Sequence, residues 1–239
     1  MIYYTSPYNF LTFIISILIA LFAEIKVKHA FSKYSKISTK SGITGAECAN
    51  IILSDKNIYN VSINQTYGYF SDYFDPRSSG VFLSEEVYGK NSIAAISVAA
   101  HECGHADQHD KGYFPIKIRE FIIPICSLSS KLSMPLVMIG ILFPAGSNFF
   151  LNLGILLFAV ALLFQLITLP VEFNASRRAL KSLSKNNVLT PDELKGAKSV
   201  LSAAALTYVA ATFNSLLYLL RLIFISRSRD WNKSYFFLK

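Results

Sequence analysis

The chain has 239 residues, of which 52% are hydrophobic and 16% charged, and its mean hydropathy is +0.39. Ordinary soluble domains carry about a quarter charged residues, so this balance excludes a simple soluble domain and points to the membrane. The net charge of +8 comes from basic residues beside apolar runs, with no aromatic-basic reading surface, which suits a lipid bilayer as partner and argues against nucleic acid.

The first apolar run is YNFLTFIISILIALFA, residues 8–23. Ile2–Tyr4 and Ile25–Val27 can extend it towards the ~20 residues a helical span needs. No Lys or Arg precedes it and no small-residue cleavage site is clear, so residues 1–25 are expected to be an uncleaved transmembrane anchor rather than a signal peptide. Lys26, Lys28, Lys33, Lys36 and Lys40 follow. By the positive-inside rule the N-terminus lies outside and residue 26 onward is cytoplasmic.

Residues 26–117 are expected to form a cytosolic domain. Thr44 and Glu47 make a T-x-x-E capping box that opens a helix to about Asp55. Residues 60–66 alternate Val61 and Ile63 with polar neighbours, as a short strand does. GVFLS, residues 80–84, is expected to be a second strand after the turn DPRSSG, and its edge is a candidate for pairing with an extended substrate. A helix then starts near Asn91 or Ser92 and runs to about Gly112. The three cysteines, Cys48, Cys103 and Cys126, are scattered and odd in number, so they give neither a disulfide framework nor zinc-type pairs, and they suit a reducing compartment.

Residues 118–170 are expected to hold transmembrane helices two and three. Lys131, Pro124 and Pro135 predict an interfacial or broken helix leading into the second span. A turn is expected at 144–148, and 149–170 is a clean third span. Residues 171–198 carry Arg177, Arg178, Lys181, Lys185, Lys195 and Lys198 and are expected back in the cytoplasm. Thr190, Pro191 and Glu193 form a second capping box. A fourth apolar helix, 199–225, rich in Ala, Ser and Thr, suits close packing in a membrane. If it crosses, the basic tail 226–239 lies outside, against the positive-inside rule.

The chemistry sits in VAAHECGHADQH, residues 98–109, which holds His101, His105 and His109 of the chain's four histidines. Residues four apart share one helix face, so His101 and His105 can bind one ion. Glu102 is rotated by about 100° and flanks that ion without ligating it. This is the H-E-x-x-H arrangement of zinc peptidases, with Glu102 as general base. Such a site keeps one coordination position open and wants three protein ligands. His109 lies about 12 Å along the helix from His101 and lacks the intervening glycine that lets a third histidine turn back to the ion. A carboxylate beside the bilayer asks for a partner. Glu172, in LPVEFNASRRA, is therefore either the third ligand or a charge paired with Arg177 or Arg178. His109, Tyr113, Asn174, Arg177 and Tyr208 are all candidates for stabilising an oxyanion.

Several stretches together resemble the YugP-type neutral zinc metallopeptidases of bacterial membranes: SGITGAECA (41–49), FDPRSSGVFLSEEVY (74–88), SIAAISVAAHECGH (92–105), QLITLPVEFNASRRAL (165–180) and LTPDELKGAKSVLSAAALTYVAA (189–211). The resemblance covers nearly the whole chain. More distantly the chain is similar to HtpX and CAAX-prenyl membrane proteases, in which a glutamate after a later span completes the metal site. The resemblance implies that His101, His105 and Glu172 hold one zinc ion and that Glu102 is the base. Ser176 stands where the distant relatives have an aspartate that orients the first histidine.

The expected fold is mainly α: a multi-pass helical membrane protein with a small cytosolic α+β zincin-like domain. The expected function is zinc-dependent hydrolysis of polypeptides, membrane-associated ones included, at the cytoplasmic side of a bacterial cell membrane. The rival readings are a metal-binding pseudoprotease that holds client proteins and a transporter with a regulatory metal. The sequence does not set the oligomeric state.

Overall fold

The computed structural model describes residues 7–143 and 148–237, with side chains over 10–143 and 148–227. Seven helices and three strands follow in the order α1 (Pro7–Tyr34), α2 (Gly45–Asp55), β1 (Ser62–Thr66), β2 (Tyr73–Asp75), β3 (Gly80–Ser84), α3 (Glu85–Tyr88), α4 (Ile93–Asp110), α5 (Phe114–Leu142), α6 (Asn148–Lys185) and α7 (Pro191–Phe237). Four of these, α1, α5, α6 and α7, are long and apolar enough to cross a membrane. Ile2–Tyr4 and most of the turn expected at 144–148 fall outside the described residues, and Asn148 opens α6.

The long helices correct the sequence reading at α5 and extend it at α6 and α7. α5 is one helix containing both Pro124 and Pro135 rather than a broken one. α6 passes through Pro170 without stopping, so Glu172 lies on the same helix as the third apolar run. α7 continues through the basic tail as far as Phe237. Away from water, freed backbone groups have no solvent to turn to, so a helix tolerates a proline's missing bond more readily than it opens.

The chain divides into two units. The first comprises residues 1–22, 118–167 and 208–239, and its described residues are almost entirely helical. Its core is Val137, Leu151 and Leu222. A Cβ on Gly154 would stand 2.8 Å from the Val137 backbone nitrogen, so α5 and α6 meet at backbone distance, as small residues allow between membrane helices. Phe10, Phe121 and Phe149 are 70%, 77% and 68% exposed, a surface suited to lipid rather than water.

The second unit comprises residues 23–117 and 168–207. Its core joins Cys48, Ile52, Val81, Leu83, Val87, Ile96, Ala99, Ala100, Cys103 and Leu183. Thr44 caps α2 through the expected box, its side chain accepting from the Glu47 amide while Glu47 accepts from the Thr44 amide. Ser92 caps α4, with its Oγ accepting from the Ala95 amide. The second box forms at Thr190 and Glu193, and Glu193 also accepts from the Lys40 amide at 2.7 Å.

The sheet has the order β1-β3-β2, with β1 parallel and β2 antiparallel to β3. GVFLS is therefore the central strand, paired on both sides, and it has no edge to offer a substrate. β2, three residues long, is too short to show alternation. It is held by the Tyr73 ring stacking on Phe82 at 4.8 Å. The DPRSSG turn forms around Asp75, which accepts from the Arg77 and Ser78 amides.

Candidate metal centre

α4 is built from small residues in its first half. Ala94, Ala95, Ser97, Ala99 and Ala100 are all buried, so neighbouring elements pack close to its axis. A close approach is at Gly104, where an added Cβ would lie 2.6 Å from the Ala175 carbonyl oxygen of α6. That contact brings the histidine turn of α4 against the part of α6 that carries Glu172 and Ser176. Gly104→Ala is therefore expected to destabilise the protein by about 1–2 kcal/mol: a clash this close with rigid backbone takes the upper part of the overpacking range, about 2–3 kcal/mol, and the gain in helix propensity returns about 1 kcal/mol. Thermal unfolding of the purified chain checks this, and an unchanged midpoint contradicts it.

The structure brings His101, His105 and Glu172 together. One ligand atom from each lies within 4.8 Å of the others. Glu172 Oε2 is 3.2 Å from His101 Nε2 and 3.6 Å from His105 Nε2. The two rings stand nearly perpendicular, 4.8 Å apart. His109 is outside this group; its ring tilts against Phe74 at 5.8 Å. The Glu172 side chain is 3% exposed, whereas that of His101 is 17% exposed, so the cluster is reached from the His101 side.

Each imidazole is held at its other nitrogen. Ser176 Oγ lies 3.2 Å from His101 Nδ1, the orienting place the sequence suggested for it. His105 Nδ1 lies 3.0 Å from Gln108 Oε1. Gln108 commits its amide nitrogen to the Val171 carbonyl at 2.8 Å and to Asn174 Oδ1 at 3.0 Å. Its Oε1 is thus an acceptor, His105 donates from Nδ1, and the His105 Nε2 lone pair faces Glu172. Asn174 Oδ1 also accepts from Arg178 Nε at 2.7 Å, and Arg178 reaches Asp107 Oδ2 at 2.6 Å. Lys56 stands 3.8 Å from the same oxygen, and the Arg178 guanidinium lies over the Tyr113 ring. Asn174 and Tyr113 thereby take part in a network that fixes α6 against α4. Gln108 was not singled out from sequence as part of the site, and Arg178 entered only as a candidate partner of Glu172. The signal that could have found Gln108 is its place three residues after His105, on the same helix face.

Glu102 points into the protein and is 7% exposed. Burial pushes its carboxyl up to about 7; His101 opposes the rise, the charges of Glu172 and Asp72 add to it, and the Phe74 amide donates a hydrogen bond that lowers it. β2 thus meets the site through its backbone at Phe74. Asp72, just before β2, accepts from the Ser84 amide at 2.7 Å and from Ser84 Oγ at 3.1 Å, which ties the segment down. Burial raises the Cys48 thiol to about 12 and Cys103 well above its ordinary value. Both thiols pack in the core.

The family described as "Putative neutral zinc metallopeptidase" matches residues 9–227. The chain belongs to this family. It is 46% identical over 215 residues to the "Putative membrane protease YugP" of Bacillus subtilis (strain 168), an alignment covering 90% of this chain and 95% of that protein. No solved structure matches the chain. Within this zinc metallopeptidase family member, the cluster that could hold a metal joins the H-E-x-x-H turn to a glutamate 67 residues beyond His105, as 172 − 105 gives.

Proposed function

We propose that the chain is a membrane-embedded zinc endopeptidase with a zincin-like site on the cytoplasmic side of a bacterial cell membrane. The observation that carries this reading is the convergence of two imidazole Nε2 atoms and one carboxylate oxygen, with a buried glutamate directly after the first histidine. Donors bound about 2.1 Å from one tetrahedral ion stand about 3.4 Å apart, close to the 3.2 and 3.6 Å observed here. With His105 protonated at Nδ1, its Nε2 and the Glu172 oxygen are two acceptors facing each other, an arrangement that a cation relieves. Two imidazoles and a carboxylate suit zinc.

His101, His105 and Glu172 would hold the ion and leave a coordination position open. When bound, zinc supplies Lewis acidity and brings the pKa of water towards neutrality. Glu102 takes a proton from the attacking water onto its carboxylate and delivers it to the departing amine nitrogen as the C–N bond breaks. Ser176 and Gln108 hold the two rings in orientation.

Polypeptide substrates are supported by the family's description and by the name of the Bacillus relative. The cytoplasmic placement is supported by the lysines that follow the first apolar run and by the basic residues at the end of α6. On this reading residues 26–117 and 171–198 form the cytosolic part. The test is hydrolysis of an unfolded protein such as casein by the zinc-loaded full-length chain, compared with its Glu102→Gln form. Equal turnover by the two would defeat the assignment.

A further inference from the structure

The helical unit formed by residues 1–22, 118–167 and 208–239 contains a cavity of about 450 Å³ that the metal site does not use. Asn214, Tyr218 and Arg221 line it from α7. Their spacing of four and three residues places them on one helix face. The opposite walls include Phe13, Met134 and Phe158.

Among the described residues, Asn214, Tyr218 and Arg221 lack partners of matching strength. Residues 7–22, 121–167 and 208–227 contain no Asp or Glu, so these segments supply Arg221 with no carboxylate. Tyr218 donates its hydroxyl to the Met134 thioether at 3.2 Å, a weak acceptor that an anionic oxygen outcompetes. Asn214 uses its amide nitrogen on the Ser16 carbonyl at 3.0 Å, while its Oδ1 is buried without a hydrogen-bond partner. A cation on a membrane helix calls for a counter-charge. A guanidinium fork matches the geometry of a phosphate, and a mostly apolar cavity of this size fits an amphiphile.

We propose that this cavity binds an anionic phospholipid of the phosphatidylglycerol type. Arg221 pairs with the phosphate, and Tyr218 turns its hydroxyl from Met134 to a phosphate oxygen. An acyl chain lies against Phe13 and Phe158. The opposing account has Arg221 merely extending its head to the interface, which gives no lipid preference.

The test uses full-length protein in detergent, stripped of co-purified lipid, with bound lipid counted by native mass spectrometry. Phosphatidylglycerol is expected to bind about tenfold tighter than phosphatidylcholine with the same chains, because both offer Arg221 a phosphate but the choline ammonium of the second offsets that charge, a loss on the scale of one charge-assisted contact. Arg221→Gln removes that preference, Arg221→Lys keeps most of it, and Lys131→Gln, which alters a cation that does not line the cavity, leaves it intact. Equal binding of the two lipids by the wild type overturns the proposal, as does a preference that survives Arg221→Gln. Oleate binding as tightly as phosphatidylglycerol, or inorganic phosphate displacing it at equal concentration, overturns the assignment to a phospholipid. If Arg221→Gln does not fold, the wild-type comparison and Arg221→Lys decide the matter.

Discussion

Glu102→Gln is expected to leave zinc content unchanged and to lower peptide hydrolysis by about 10²–10⁴-fold, the scale of a lost general acid–base. The amide has the size of the carboxyl group and keeps an oxygen to accept from the Phe74 amide that lowers the glutamate's pKa. It cannot take up a proton. Burial disfavours the charged carboxylate, so the neutral replacement carries no folding penalty from desolvation, and the loss is confined to chemistry. Zinc content measured beside casein turnover separates this outcome from a collapsed site. Loss of both together would mean that Glu102 holds the metal or the fold rather than the proton.

Glu172→Ala is expected to weaken zinc binding by more than about 100-fold, because removing even an outer hydrogen-bond partner of a ligand costs about 10–100-fold. Hydrolysis falls with the metal. The substitution leaves His101 and His105 one helical turn apart with no anionic ligand, and it hollows a position where the side chain is 3% exposed. Glu172→Gln distinguishes the two effects: it keeps the volume and removes the charge. Zinc retained by the glutamine form after dialysis, at the wild-type level, would show that the carboxylate packs rather than ligates.

The half of the site that lies on one local segment was legible in the sequence. The spacing of His101, Glu102 and His105 is a helical spacing, and Ser92 and Gly112 mark the ends of that helix in the residues themselves. Both capping boxes were legible for the same reason: a box is closed by residues three apart. Glu172 was not fixed by local pattern. From the residues alone its partner was either the histidines or a nearby arginine, and the choice depends on a close approach of α4 to α6 at Gly104 that no periodicity encodes. The arginine does have a carboxylate partner, but it is Asp107, across that same approach.

What was misread has physical causes. Pro124 and Pro135 were taken as interruptions on the rule for helices in water, where a broken helix finds hydrogen bonds with solvent. GVFLS was taken as an available edge because β2, with three residues, is too short to reveal itself and occupies the side that a substrate would need. The orientation of His105 by Gln108 was overlooked because glutamine in a helix reads as a solvated residue, whereas Gln108 is 0% exposed.

The central claim is that two imidazoles from α4 and a carboxylate from α6 grip one zinc ion. X-ray absorption at the zinc edge of the zinc-loaded, full-length protein tests it most directly. Two imidazole nitrogens and one carboxylate oxygen at about 2.0–2.2 Å, with no sulfur neighbour, is the predicted first coordination sphere. Sulfur at about 2.3 Å, or a spectrum without the imidazole pattern, would contradict it.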